Sequence, residues 1–381
     1  MSSDAWVSDA WLAVLQAFPP ATGTTRALRA IAAAGSAERL CAWPLRELLA
    51  RGVPADSAHR LKQPDQALID QWRRWLERPG CGLTTLGDPH YPPRLAQLPD
   101  PPAALWLRGP DPAVLLYPQL AMVGSRNPTA GGRASAEAFA AQLSQRGLTV
   151  TSGLAMGIDG ASHRGALTGP GGTVAVLGAG IDTVYPRVNE SLAAGIAADW
   201  LIVSEYAPGV PVRKHQFPAR NRVIAGLSLG TLVVEATRRS GSLITARLAA
   251  EYGREVFALP GSIHSPLSRG CHALIRSGAV LVEGVDQVLA ELAPQLAGEN
   301  IFEPDADAPV SEPAEARAGC AKLLDLLGFE PVGSDELAAR AGLTAAELSS
   351  MLLLLEMDGA VEALPGARYC RLPNRRPVKR S

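Results

Sequence analysis

The sequence predicts an α/β protein in which a parallel sheet carries helices on both faces, with a helical module before it and a winged-helix domain after it. Three observations lead there. From Leu115 onward, short β-branched or leucine-rich runs alternate with glycine-containing turns and alanine-rich helical stretches, as expected of strands buried on both faces and joined by crossover helices. Before that region, apolar residues recur at three- and four-residue spacing, the helical period. After it, three helical patterns precede a hairpin pattern.

Taken in order, the helical pattern runs from Ala10 to about Leu76, broken at Pro19-Pro20, Gly35, Pro44 and Gly52-Val53-Pro54. Residues 81–111 are dense in proline, which denies the backbone donors that helices and inner strands need, so they read as an ordered connector. The strand runs are Leu120 to Val123, Leu148 to Thr151, Thr173 to Leu177, Leu201 to Ser204, Thr231 to Val234, Glu255 to Leu259 and Ala279 to Val282. Residues 293–316 are rich in Pro, Ala, Glu and Asp and read as a linker. Helices then follow at Cys320 to Leu327, Asp335 to Ala341 and Ala345 to Met357, the last opened by the capping-box spacing Thr344-Ala345-Ala346-Glu347 and closed by Gly359. Val361 to Leu372 reads as a hairpin turning at Pro365-Gly366.

Composition sets outer limits. With 381 residues, 47% of them hydrophobic, the chain can bury large cores in two or three domains without covalent staples. Five scattered cysteines with no C-x-x-C pair argue against a disulfide framework and a zinc site, and fit a reducing cytoplasm. Met1 to Phe18 has no basic leader region and no apolar run of membrane-spanning length, so neither secretion nor membrane insertion is expected. The lysines, Lys62, Lys214, Lys322 and Lys379, are never preceded by glycine. That excludes a P-loop and the motors and kinases built on it.

Against a net charge of -1, the segment Arg213-Lys214-His215-Gln216-Phe217-Pro218-Ala219-Arg220-Asn221-Arg222 carries four fixed positive charges, one phenyl ring and no acid. Such a composition suits an unpaired nucleic-acid strand, whose phosphates need cations and whose bases stack on any flat ring. It equally fits solvated arginines beside a core phenylalanine. Two further loops at strand carboxyl ends add candidate anion contacts. Gly124-Ser125-Arg126-Asn127-Pro128-Thr129 offers free amides, the Ser125 and Thr129 hydroxyls and a guanidinium fork; a tight turn with a surface arginine is the plain alternative. Ser240, Gly241 and Ser242 open a helix whose free N–H groups favour an anion.

Other motifs carry less. Asp159 and His163 sit four apart on one helix, more in keeping with a dipole-stabilised acid and its neighbour than with a metal site, since no third ligand is evident. Gly178-Ala179-Gly180-Ile181-Asp182-Thr183 lacks the last glycine of a dinucleotide fingerprint, and Tyr185-Pro186 cuts short the helix that would receive a pyrophosphate. Gly226-Leu227-Ser228-Leu229-Gly230 mimics a hydrolase elbow but runs from helix to strand, the wrong order. No metal and no cofactor are therefore expected.

In order and spacing, Val123-Gly124-Ser125-Arg126, Ser152-Gly153-Leu154-Ala155 with Gly157-Ile158-Asp159, Ala175-Val176-Leu177-Gly178, Tyr185-Pro186, Phe217-Pro218 with Arg220-Asn221-Arg222, and Ser240-Gly241-Ser242-Leu243-Ile244-Thr245-Ala246 resemble the DNA-processing protein A (DprA, or Smf) family, over roughly Tyr91 to Gly284. The resemblance implies an extended Rossmann-like domain that binds single-stranded DNA, protects incoming strands in natural transformation and helps load the RecA recombinase. A homodimer formed through that domain, and no catalysis, are further implications. It places the strand on Gly124, Ser125, Arg126, Lys214, Phe217, Arg220, Asn221 and Arg222, beside the Ser240, Gly241 and Ser242 loop. Met156 stands where many members have arginine, so one phosphate contact is missing. The implied layout is a sterile-alpha-motif-like helical domain at 1–80, the connector at 81–111, the Rossmann-like domain at 112–292, the linker at 293–316, a winged helix at 317–372 and a basic tail at 373–381.

Two other readings compete. The fold also resembles nucleotide hydrolases of the lysine-decarboxylase-like type, but no carboxylate directly follows Thr245, and Glu251 is the nearest substitute for their acid. A sequence-specific reader would use the helix Ala345 to Met357, which has Glu347 and Glu356 but no Arg or Lys and would repel phosphates. Protein contact or dimer support is the expectation for that domain. The tail from Arg371 to Arg380 is basic and reads as solvated, with non-specific DNA contact as the alternative.

Overall fold

In the computed structural model, the described residues are 8–20, 24–297, 323–324, 326–327, 332–357, 360–364 and 366–371. They fall into two units, Met1–Pro304 and Asp305–Ser381. The basic tail at 373–381 and most of the expected linker lie outside the described residues.

The first unit opens with six helices, α1 (Asp9–Ala17), α2 (Thr24–Ala34), α3 (Ala37–Ala42), α4 (Leu45–Ala50), α5 (Ala55–Lys62) and α6 (Gln66–Leu76). Their breaks fall where proline and glycine interrupt the pattern, and Val14, Leu40, Leu48 and Leu61 fill the core between α1, α3, α4 and α5, while Leu12 of α1 packs with Trp72 and Trp75 of α6. Helix α6 anchors this module to the sheet. Its Trp72 and Trp75 meet Trp106 edge-on at 5.5 and 5.8 Å, and Trp72 Nε1 donates to the Pro208 carbonyl at 3.3 Å.

The expected connector is part of the sheet, which corrects the sequence expectation. It holds β1 (Cys81–Thr85), the short helix α7 (Pro93–Ala96) and β2 (Ala104–Arg108). Proline forbids ladder donation only at its own position, and all seven prolines between residues 81 and 111 lie outside both strands.

The remaining elements are β3 (Gln119–Val123), α8 (Ala130–Gln145), β4 (Thr149–Ser152), α9 (Ile158–Ala166), β5 (Thr173–Gly180), α10 (Glu190–Asp199), β6 (Leu201–Tyr206), α11 (Gln216–Leu227), β7 (Gly230–Val233), α12 (Ser242–Glu251), β8 (Glu255–Ala258), α13 (Arg269–Arg276), β9 (Val280–Leu281) and α14 (Val285–Leu296). Helix α14 runs through Pro294, three residues further than the linker boundary expected at 293. The strands order as β1-β2-β6-β5-β4-β3-β7-β8-β9. Pairing is parallel from β6 to β9, whereas β1 and β2 join antiparallel. Val223, Ile224 and Leu227 of α11 cover one face, and Phe139, Ala140 and Leu143 of α8 the other. The chain winds outward from β3 to β6 and then returns to the opposite side at β7, so β3 and β7 are neighbours at a topological switch point. Crevices that hold ligands open there, at the strand carboxyl ends.

In the second unit, β10 (Val332–Gly333), α15 (Ser334–Ala341), α16 (Ala345–Met357), β11 (Val361–Leu364) and β12 (Arg368–Arg371) form two helices and a three-stranded sheet of order β10-β12-β11. The capping box forms as the sequence predicts. Thr344 N donates to Glu347 Oε2 at 2.9 Å, and Glu347 N to Thr344 Oγ1 at 3.3 Å.

Candidate nucleic-acid interface

A cavity of about 620 Å³ opens at the switch point, lined by residues that follow β3, β4, β5 and β7 and by one face of α11. Of the residues singled out in the sequence, Arg126, Lys214, Phe217, Arg220, Asn221, Ser240, Gly241 and Ser242 line it together. Gly124, Ser125 and Arg222 do not.

Periodicity explains the α11 contribution. Phe217, Arg220, Asn221 and Ile224 follow the i, i+3, i+4, i+7 pattern, which places them on one side of a helix. All four line the cavity. The Phe217 ring lies 5.6 Å from that of Tyr185, inclined at 45°, and the Arg126 guanidinium carbon is 5.9 Å from the Phe217 ring centre. Tyr185 is 52% exposed and extends the aromatic surface. The sequence places this tyrosine in a helix-stopping pair and in one of the family motifs but gives it no role at the site; the signal is an aromatic residue in the loop after the β5 carboxyl end.

Arg220 forms the buried floor. Its Nη1 donates to the Val176 carbonyl at 2.6 Å, and Nε has no hydrogen-bond partner. Burial lowers its pKa to about 10, opposed by the nearby Asp159 carboxylate, so it remains charged at neutral pH. The guanidinium lies flat on the β4–α9 turn. A Cβ on Gly153 would stand 1.9 Å from Arg220 Nη1, so only glycine admits this approach.

Buried side chains hold that turn in place. Gly153 N and Ala155 N donate to Asp159 Oδ2 at 3.1 and 3.3 Å, and Asn189 Nδ2 donates to the Leu154 and Ala155 carbonyls at 2.9 and 3.1 Å. Leu154 itself adopts a left-handed φ of 56°, a strained conformation that such bonds must maintain. His163 Nε2 accepts from Leu154 N at 3.3 Å, which assigns the proton to Nδ1 and its 2.6 Å contact with Thr173 Oγ1. Burial pushes His163 down to about 3, and it raises the Asp159 pKa, against the pull of Arg220. Both groups support the turn. Among the described residues, no group of three potential ligands is placed to hold a metal ion.

The β3–α8 loop divides its tasks. Gly124 is a packing residue, since a Cβ there would meet Ile158 Cγ1 at 2.7 Å. Ser125 Oγ accepts from Asn127 N at 3.1 Å and the Ser125 carbonyl accepts from Ile158 N at 3.1 Å, so this serine shapes the loop that presents Arg126. The Thr129 hydroxyl, expected as an anion donor, donates instead to Glu235 Oε1 at 2.6 Å. Across the cavity, Ser240 and Ser242 share a 2.7 Å hydroxyl contact at the start of α12, and Asn221 Nδ2 donates to the Gly241 carbonyl at 3.5 Å.

Arg222 requires a correction. It is turned away from the cavity to an ion pair with Glu205, and its Nε lies 3.5 Å from Asp100 Oδ2. The Arg222 and Glu205 side chains are 12% and 4% exposed. A guanidinium so engaged is part of the fold, so Arg222 leaves the candidate set.

Comparison with known proteins agrees along most of the chain. A family model described as DNA recombination-mediator protein A matches residues 82–293, and one described as the DprA winged helix domain matches residues 304–367. The protein Smf of Escherichia coli strain K12 is 41% identical over 336 residues, covering 87% of this chain and 88% of that protein. The DNA processing protein DprA of Streptococcus pneumoniae is 48% identical over 204 residues, covering 54% of this chain and 72% of that protein. The X-ray structure of DNA processing protein A from Streptococcus pneumoniae superposes with a TM-score of 0.66 at 37% identity, covering 75% of this chain and 99% of the other. The Helicobacter pylori protein, solved for insight into its single-stranded DNA binding mode, superposes with a TM-score of 0.51 at 30% identity, covering 56% and 96%.

Proposed function

Because the chain belongs to the DNA recombination-mediator protein A (DprA/Smf) family, we propose that it is a single-stranded DNA-binding recombination mediator, which protects incoming strands in natural transformation and helps load the RecA recombinase. The observation that carries this reading is the convergence of Arg126, Lys214 and Arg220 with Phe217 and the Ser240–Ser242 loop around one cavity. Exposed Arg126 and Lys214 would neutralise phosphates, the Ser240–Ser242 hydroxyl pair would donate to another, since the Ser242, Leu243 and Ile244 amides are already bonded within the loop, and Phe217 with Tyr185 would take bases on their faces. Arg220 supports from beneath, a fixed positive charge held by the Val176 carbonyl and balanced by Asp159.

The proposed role is binding, not turnover. Glu251, the substitute acid of the hydrolase reading, is not among the residues lining the cavity. Asp159 lines it, but its Oδ2 accepts two backbone amides that fix the turn. The proposal includes a homodimer through the sheet domain, action in the cytoplasm and a protein-contact role for the C-terminal domain. Among the described residues no helix is long and apolar enough to cross a membrane.

The test is a salt-titrated comparison of a short oligothymidylate with a duplex of equal length. Preferential binding of the single strand, weakened by Arg126→Ala and Lys214→Ala, is the expected result. Equal affinity for the duplex, insensitive to both variants, would refute the reading.

A further inference from the structure

We infer that the N-terminal helical module carries a second nucleic-acid contact, a groove between α2 and the α4–α5 turn in which Arg26, Arg29 and Arg51 take backbone phosphates. The groove is a cavity of about 570 Å³, and its lining includes those arginines, Trp43, Gly52 and Pro54 but no carboxylate among the described residues. Arg26 and Arg29 are three apart on α2 and therefore share a face. Both are exposed, and among the described residues neither pairs with an acid.

Arg51 enters from the opposite wall. Its guanidinium carbon stands 4.3 Å above the Trp43 ring centre, which restrains the charge in place. It also pairs with Glu47 at 3.1 Å, an exposed i,i+4 bridge that a phosphate can exchange at little cost. The small exposed residues Ala33 and Gly52, with Ala30 beneath them, leave room for a backbone to approach.

Charge and surface chemistry favour nucleic acid. Between Thr24 and Lys62 the sequence has seven Arg or Lys against three acids, in a chain whose net charge is -1. This local field attracts a polyanion whatever the net value, and guanidinium forks match phosphate oxygens. A lipid surface would need bulky apolar side chains beside the charges. Among the described residues up to Lys62, only Leu49, at 42%, is an exposed large hydrophobic. This groove lies on different elements from the sheet-edge cavity, and the inference does not rest on the role proposed for that cavity.

The experiment uses the full-length protein and follows anisotropy against salt for a short oligothymidylate, a single strand several times longer, and a long duplex. In Arg26→Ala/Arg29→Ala the salt slope for the longer strand should fall by about 1.4, two contacts at about 0.7 each, while the short oligonucleotide is unaffected. The duplex arm tells whether the groove accepts paired as well as unpaired backbone, its slope falling by about 1.8 if it does. Arg26→Lys/Arg29→Lys should restore the slope, because a phosphate contact needs the charge. Unchanged slopes on both long ligands, or no rescue by lysine, overturn the inference. So does loss of binding to phosphatidylglycerol vesicles with nucleic-acid slopes unmoved, which would assign the groove to a membrane. Failure of the cavity reading is distinguishable: it leaves the short oligonucleotide insensitive to Arg126→Ala/Lys214→Ala, whatever Arg26 and Arg29 do.

Discussion

Replacing Arg222 with alanine should damage stability and leave the DNA salt slope intact. The replacement strands the Glu205 carboxylate, whose side chain is 4% exposed and whose partner guanidinium is 12% exposed. Breaking such a pair from one side costs about 3–5 kcal/mol. At about 2 °C per kcal/mol for a unit of this size, the melting temperature should fall by about 6–10 °C. Asp100, 48% exposed, adds little to this cost. Burial already holds the Glu205 carboxyl above its ordinary 4.5, and losing Arg222 raises it further. A raised folded-state pKa gives stability that is present at acid pH and lost as pH rises through it, so the deficit should be larger at pH 8 than at pH 5. Glu205→Leu with Arg222→Met should recover most of the loss, since a buried pair exchanged for apolar side chains is close to neutral. Thermal melts across pH and salt-titrated anisotropy give the two readouts. A variant that melts with the parent but loses about 0.7 from its single-strand slope would return Arg222 to the DNA site and refute the correction.

Arg126→Ala and Lys214→Ala should each lower the single-strand salt slope by about 0.7, whereas Phe217→Ala should weaken binding by about 1–3 kcal/mol per stacked base with the slope unchanged; equal effects on slope would show that the roles are misassigned. Gly153→Ala drives a Cβ into the Arg220 guanidinium, so it should cost about 1–3 kcal/mol in denaturant melts and weaken strand binding together; a variant with neither change would sink the buried-floor account. His163, held near 3 in the fold against 6.5 when free, keeps the folded state from taking a proton that the unfolded chain accepts. Stability should therefore fall as pH drops below about 6.5, by about 1.4 kcal/mol per unit, and His163→Gln should flatten that part of the profile.

The parallel strands were legible because burial on both faces leaves continuous apolar runs, and each of the seven runs overlaps a strand from β3 to β9. The two antiparallel strands at one end of the sheet, β1 and β2, were not. Ala104 to Arg108 carries Leu105, Trp106 and Leu107, an apolar run as dense as several others, yet the surrounding prolines outweighed it. Composition averaged over a window conceals that proline acts on single positions, and here every proline sits in a loop outside both strands or at the start of α7. Asp159 and His163 illustrate the opposite case. Their spacing fixed them on one helix, but only the tertiary fold puts the Gly153 and Ala155 amides on one and the Leu154 amide on the other. Amides contributed by a turn leave no side-chain signature.

For the site, composition and periodicity make different demands on the same ten residues. Composition treats Arg213 to Arg222 as one basic block, and from it Arg220 and Arg222 look equivalent. A helix separates them. Residues two apart do not face the same side, so once Phe217 faces the cavity, Arg220 and Asn221 follow it and Arg222 must turn elsewhere. Elsewhere is Glu205, near the end of β6, the one acid in a fully buried strand. A buried carboxylate requires a cation, and the α11 face opposite the cavity supplies one. The sequence thus held both halves of the correction: the helical period that removes Arg222 from the DNA face, and the lone acid in a buried strand that needs it.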